Sequence, residues 1–175
     1  MVTNKQLREA FLSAQMKYYF NKKFSPLPSN EVDVRIEEML KYLNMAFHCN
    51  GGIPFSKEID EVWHYWILET MEYKKLCEKL HGGLFLHHTS NDYAEYVDKD
   101  VKNNKINLTF GISILSSYVL NYGPFDRNRV RYWPLTIHIM NHLNWNVDEL
   151  NEWLGSVSQL PDSKVNEVSI NSSSG

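Results

Sequence analysis

Cysteine is scarce in this sequence: Cys49 and Cys77 stand far apart and form no CxxC pair. Two such thiols cannot make a disulfide framework, so the chain is expected in the reducing cytoplasm. Long apolar runs are missing as well. No stretch approaches the roughly 20 residues that a helix needs to cross a bilayer, which argues against a membrane protein. The opening residues, Met1-Val2-Thr3-Asn4-Lys5, lead into an amphipathic segment and not into a signal peptide. Positive charge is not in excess either, since the net charge is −3 and the sequence pI about 6.2. That balance disfavours nucleic acid and acidic lipid as partners. Neither a GxxxxGK[ST] phosphate loop, nor a GxGxxG turn, nor a GxSxG elbow occurs, and there is no internal repeat.

What the sequence has in plenty is large flat side chains. Aromatic residues make up 13% of its 175 positions and hydrophobic residues 43%, enough to build a core around Trp63, Trp66, Tyr73 and Trp145. Spacing predicts a mostly α fold, an irregular bundle of about six helices in a single domain over residues 1–155. A polar tail over 156–175, ending Asn171-Ser172-Ser173-Ser174-Gly175, is expected to be disordered.

Leu7, Phe11, Ala14, Tyr18 and Tyr19 recur at helical spacing and predict one helix from Asn4 to Phe24, stopped by Pro26 and Pro28. Val32, Ile36, Met39, Leu40, Leu43 and Phe47 form the stripe of a second, from Glu31 to about His48, which Ser29 or Asn30 can cap. A third starts after Ser56, carries Ile59, Val62, Trp63, Trp66 and Ile67, and runs to Leu80 with a kink near Thr70. His81-Gly82-Gly83 ends it, and 84–88 reads as extended or irregular. Tyr93, Tyr96, Val97 and Val101 predict a further helical stretch. Residues 106–122 are read as helix, although their β-branched content also allows a strand. Pro134 suits the first turn of another helix, and Asn146-Val147-Asp148-Glu149 resembles a capping box for a last one.

Candidate chemistry gathers on the histidines. Asp60 and His64 are four apart, on one helical face. They can give a carboxylate and an imidazole to one metal ion, or form a plain hydrogen bond that fixes the imidazole tautomer. Cys77 and His81 share that spacing but match no standard zinc module, and a lone cysteine on an apolar face serves packing. Of the adjacent His87 and His88, one can join His64 while the other faces solvent. His138 and His142 again sit at i and i+4, but Ile139 stands where a HExxH protease carries its glutamate, which excludes that mechanism. Facing inward, they would complete a site with His64 and His87 or His88. The paired acids Glu37-Glu38 and the Arg127/Arg129/Arg131 cluster read as solvated surface.

The run Ile59-Asp60-Glu61-Val62-Trp63-His64, followed by Tyr73, Cys77 and Phe85-Leu86-His87-His88, resembles the glycine-rich domain-containing protein-like family over about residues 40–125. The resemblance brings forward Asp60, Trp63, His64, Tyr73, Cys77 and His88 and implies a helical fold more than a reaction. Two departures stand out. Trp66 occupies a position where many members carry a second histidine, and Thr89-Ser90-Asn91 replaces a proline-aromatic-glycine segment.

Two functions fit these residues. One is a small metal-dependent enzyme or metal-binding protein, with Asp60, His64, His87, His88, His138 and His142 as candidate ligands for iron or zinc. The other is a non-catalytic interaction domain that contacts a protein partner, in which the same residues serve packing.

Overall fold

The computed structural model describes residues 1–46, 55–80, 82–88 and 108–157. Among them are eight α-helices, one 3-10 turn and no strand: α1 (Asn4–Phe11), α2 (Ala14–Lys23), α3 (Ser29–Ala46), α4 (Lys57–Leu68), α5 (Thr70–Lys79), α6 (Leu108–Tyr122), the 3-10 turn Val130–Tyr132, α7 (Pro134–Leu143) and α8 (Val147–Val157). The mostly α expectation holds, but the helix count exceeds about six because two expected long helices are each broken once. The expected helical stretch at 91–101 and the tail beyond Val157 lie outside the described residues.

Both breaks have local causes. At Leu12 the backbone turns extended, and Ser13 caps a new helix by accepting from the Met16 amide at 3.2 Å while donating to Glu72 at 3.0 Å. A serine that can satisfy the orphan donors of a new first turn outweighs the continuous apolar spacing. The second break falls at Glu69 (φ −91°, ψ 69°), beside the kink expected near Thr70. Elsewhere the punctuation acts as expected. Gly82 and Gly83 take positive φ after α5, Pro134 opens α7, and Asn146 and Glu149 cap α8 reciprocally at 2.8 and 3.1 Å.

Helix α3 is the mast of the fold. It packs against α1, α2, α4 and α6, while α8 closes on α6 and α7. Residues 36–43 of α3 are buried on every side, so its expected polar face does not exist there. Glu37, Glu38 and Lys41 are each 2% exposed or less, which corrects the reading of Glu37-Glu38 as solvated.

Glu38 is the hub of the network that makes this burial tolerable. Its carboxylate accepts from Lys41 Nζ at 2.7 Å, Arg129 Nη1 at 2.8 Å, Tyr118 Oη at 2.9 Å and Trp133 Nε1 at 2.9 Å. Glu37 pairs with Arg129 Nη2 at 2.6 Å and with Arg8. Arg129 also reaches Asp126 at 3.0 Å, so it too departs from the solvated reading. Arg131 pairs with Glu31 at 2.5 Å, more exposed, and Arg127 remains on the surface. Buried charges persist when paired and fully hydrogen-bonded, and these tie α3 to α1, α6 and the 126–133 segment at once.

Burial, with the nearby Glu38 carboxylate, raises the Tyr118 and Tyr122 hydroxyls above the ordinary 10.0, Tyr122 to about 12. A phenol that holds its proton more tightly when folded gives stability that is complete below pH 10 and lost as pH rises through the folded value. Lys41 shifts the other way, lowered from 10.5 by burial and partly restored by Glu38, and so opposes this loss only in part. The urea midpoint is expected to fall steadily above pH 10, in step with phenolate absorbance. A flat midpoint up to about pH 12 would contradict buried Tyr118 and Tyr122 hydroxyls.

Candidate metal centre

Helix α4 presents Asp60 and His64 one turn apart, on the edge of the face that buries Ile59, Val62, Trp63 and Trp66. Beyond α5 the positive-φ glycines reverse the chain, with the Gly83 amide bonded to Leu80 O at 2.9 Å. Segment 83–88 then runs back to α4 and delivers His88. The His88 Nε2 atom meets Asp60 Oδ1 at 2.8 Å, and His64 Nδ1 lies 3.4 Å from Asp60 Oδ2. One carboxylate thus faces two imidazoles, one on each oxygen.

Two residues outside this trio hold it in place. The Trp63 indole stands edge-on to His88 (centroids 4.5 Å, 85°), backed by Phe55 and Tyr42. Tyr73 of α5 accepts from Trp63 Nε1 at 3.0 Å and donates to Leu86 O at 2.5 Å, so it bridges α4 to the returning segment. Burial pushes the Tyr73 hydroxyl well above the ordinary phenol value, which keeps it a protonated donor. Cys77 is a free thiol, 1% exposed, beneath the same segment.

Of the six histidine and aspartate candidates, the structure therefore brings together three. The donor atoms of Asp60, His64 and His88 lie within 4.8 Å of one another, the one such group of three or more among the described residues. His87 is exposed, its ring turned to Phe85 at 5.1 Å. His138 and His142 are exposed on α7, their rings parallel at 6.3 Å, and they join each other instead of facing inward. His81 lies outside the described residues. The trio is not a buried packing pair: side-chain exposure is 48% for His64, 35% for Asp60 and 10% for His88.

Among the described residues, these three side chains are the ones that could hold a metal ion. An ion about 2.1 Å from each donor holds the donors within about 4.2 Å of one another. The present spread of up to 4.8 Å is wider than that, so the donors would have to draw in for all three to bind one ion. Two imidazoles and one carboxylate are the donor set of open iron and zinc sites, which leave coordination positions for water or substrate.

A mostly helical protein with a buried charge hub and a partly exposed two-His, one-Asp group is the class these features define. More narrowly, the chain belongs to the UCP032817-like family, whose profile matches residues 3–119. That match corrects the resemblance to the glycine-rich domain-containing proteins: the family is a different and uncharacterised one. The matched span includes Asp60, His64, His88, Glu38 and Tyr118, and stops before Arg129. No curated protein and no solved structure matches the chain significantly.

The polar hub around Glu38 is what the sequence reading missed. Its pieces come from positions 8, 37, 38, 41, 118, 129 and 133, with no shared local spacing. The only local sign is that two acids and a lysine sit within the apolar stretch 36–43 of α3.

Proposed function

We propose that the protein binds one divalent transition-metal ion, iron or zinc, through Asp60, His64 and His88, and uses the open side of that ion to activate water or oxygen. The observation that carries this is the convergence of three donors from two segments onto one partly exposed spot. A closed structural site takes four protein ligands, whereas three with an exposed edge suit a working centre. The ion supplies Lewis acidity or redox chemistry, and the chain supplies three donors and an aromatic wall.

A reducing, cytoplasmic setting fits this reading, since Cys77 is a free thiol. No helix among the described residues is long and apolar enough to cross a membrane.

Elemental analysis of protein purified without an affinity tag tests the proposal. The expected result is close to one equivalent of iron or zinc after reconstitution. Less than about a tenth of an equivalent of any transition metal sinks it.

A second reading has one observation behind it. Leu68, Met71, Leu84 and Phe85 are each more than half exposed, and an open groove of about 440 Å³ runs between Met71, Cys77 and Phe85. Such an apolar face fits a non-catalytic interaction domain that docks a protein partner. On that reading a chelator leaves the melting temperature unchanged, whereas loss of a bound metal lowers it.

A further inference from the structure

We infer that Tyr73 is the positioning residue of this centre, the group whose hydroxyl brings His88 to Asp60. His88 lies in 83–88, described residues with no regular secondary structure. No helix or strand within those described residues sets where the His88 side chain lies. The tie comes from Tyr73, which donates to Leu86 O at 2.5 Å, two residues before His88. The Tyr73 Oη atom in turn accepts the Trp63 indole proton at 3.0 Å. Trp63 directly precedes the ligand His64 on α4, and its ring edge packs on the His88 imidazole. One phenol thus sets both the height of the returning segment and the wall that orients the ring. It is 1% exposed and touches no donor atom itself. Phe85 stacks edge-on against the Tyr73 ring at 5.2 Å, so a phenylalanine at position 73 keeps this packing and removes only the hydroxyl.

This inference rests on the metal reading for its affinity measurement, but its geometric part can be read without metal. Cobalt(II) is titrated into the tag-free full chain by visible absorption, with Tyr73→Phe and Cys77→Ala compared to the natural sequence. Tyr73→Phe is expected to weaken cobalt binding by about 10- to 100-fold, the range for a lost outer-shell partner. Cys77→Ala, which removes a thiol neighbour of the Tyr73 hydroxyl but leaves its bonds to Trp63 and Leu86 O intact, is expected to leave affinity within about threefold. In the metal-free proteins the His88 ring resonances should lose the Trp63 ring-current shift in Tyr73→Phe and keep it in Cys77→Ala. Should Tyr73→Phe not fold, the natural chain carries the test: by reciprocal linkage, saturating zinc should slow exchange of the Trp63 indole proton at least about tenfold.

Unchanged cobalt affinity in a folded Tyr73→Phe overturns the positioning role, and so does an equal loss in Cys77→Ala. Unaltered indole exchange in zinc-saturated protein also overturns it. If the natural chain takes up no cobalt while the His88 shift is still lost in Tyr73→Phe, the positioning stands and the metal reading falls.

Discussion

Glu38→Gln is expected to cost about 3–5 kcal/mol of stability, the range for breaking a buried ion pair from one side. The substitution keeps the size of the side chain and removes its charge. Lys41 Nζ, 2% exposed, is then left with neutral partners, the amide oxygen at position 38 and the Tyr118 oxygen at 2.8 Å, and no carboxylate. Arg129 keeps Glu37 and Asp126, so the penalty concentrates on Lys41. A domain of this size is stable by roughly 5–15 kcal/mol, so the variant stands near its threshold. Burial already draws the Lys41 pKa down, and only Glu38 among its nearest partners pulls it strongly back. Without that carboxylate the folded pKa drops further, and the folded state prefers neutral lysine. The variant should therefore regain more stability than the natural protein as pH rises from about 7 to 9. Urea unfolding at both values reads the effect. A loss under about 1 kcal/mol, or no recovery with pH, would mean that the carboxylate is not the hub. The double variant Glu38→Met, Lys41→Met supplies the complementary result. Removing both partners should be far less costly than removing one, because no lone buried charge remains.

The hub also shows what periodicity can and cannot convey. Spacing located the helices because one apolar face repeats every 3.6 residues, and it located α7 and α8 through Pro134 and the Asn146–Glu149 box. It could not show that α3 is enclosed on all sides. A helix with charges at 37, 38 and 41 beside its stripe has the same pattern whether those charges meet water or meet Arg129 and Tyr118. The extra break at Leu12 was hidden for a related reason. Phe11 and Leu12 keep the apolar rhythm, and the decisive partner of Ser13 is Glu72, 59 positions away.

The metal candidates divide along the same line. Asp60 and His64 share a face by helical arithmetic alone. His88 joins them because the Gly82-Gly83 reversal and the Tyr73 tether bring it back, and only the first of these has a sequence signature. His138 and His142 share the same i, i+4 spacing but face outward, since Leu135, Thr136 and Ile139 take the buried side of α7. Spacing alone could not separate the two histidine pairs. A third ligand arriving from elsewhere does.

That distinction sets the second large expectation. Asp60→Ala, His64→Ala and His88→Ala should each lower zinc affinity by more than about 100-fold, beyond what an outer-shell partner is worth. The double variant His138→Ala, His142→Ala should leave it within about threefold, because that pair has no third donor among the described residues. Calorimetric titration of zinc into tag-free protein separates these outcomes. A melting scan adds a check: zinc at about 100 times the natural chain's dissociation constant stabilises that chain by about 2.7 kcal/mol and His88→Ala by less than about 0.4 kcal/mol. His88→Ala is the sharpest of the three ligand variants. It leaves α4 and its two remaining candidates in place and removes only the group that crosses from the returning segment. Undiminished zinc binding in that variant would reduce the trio to an ordinary helical Asp–His pair with a neighbouring ring, and retained binding there with loss in the α7 double variant would move the site to the exposed pair.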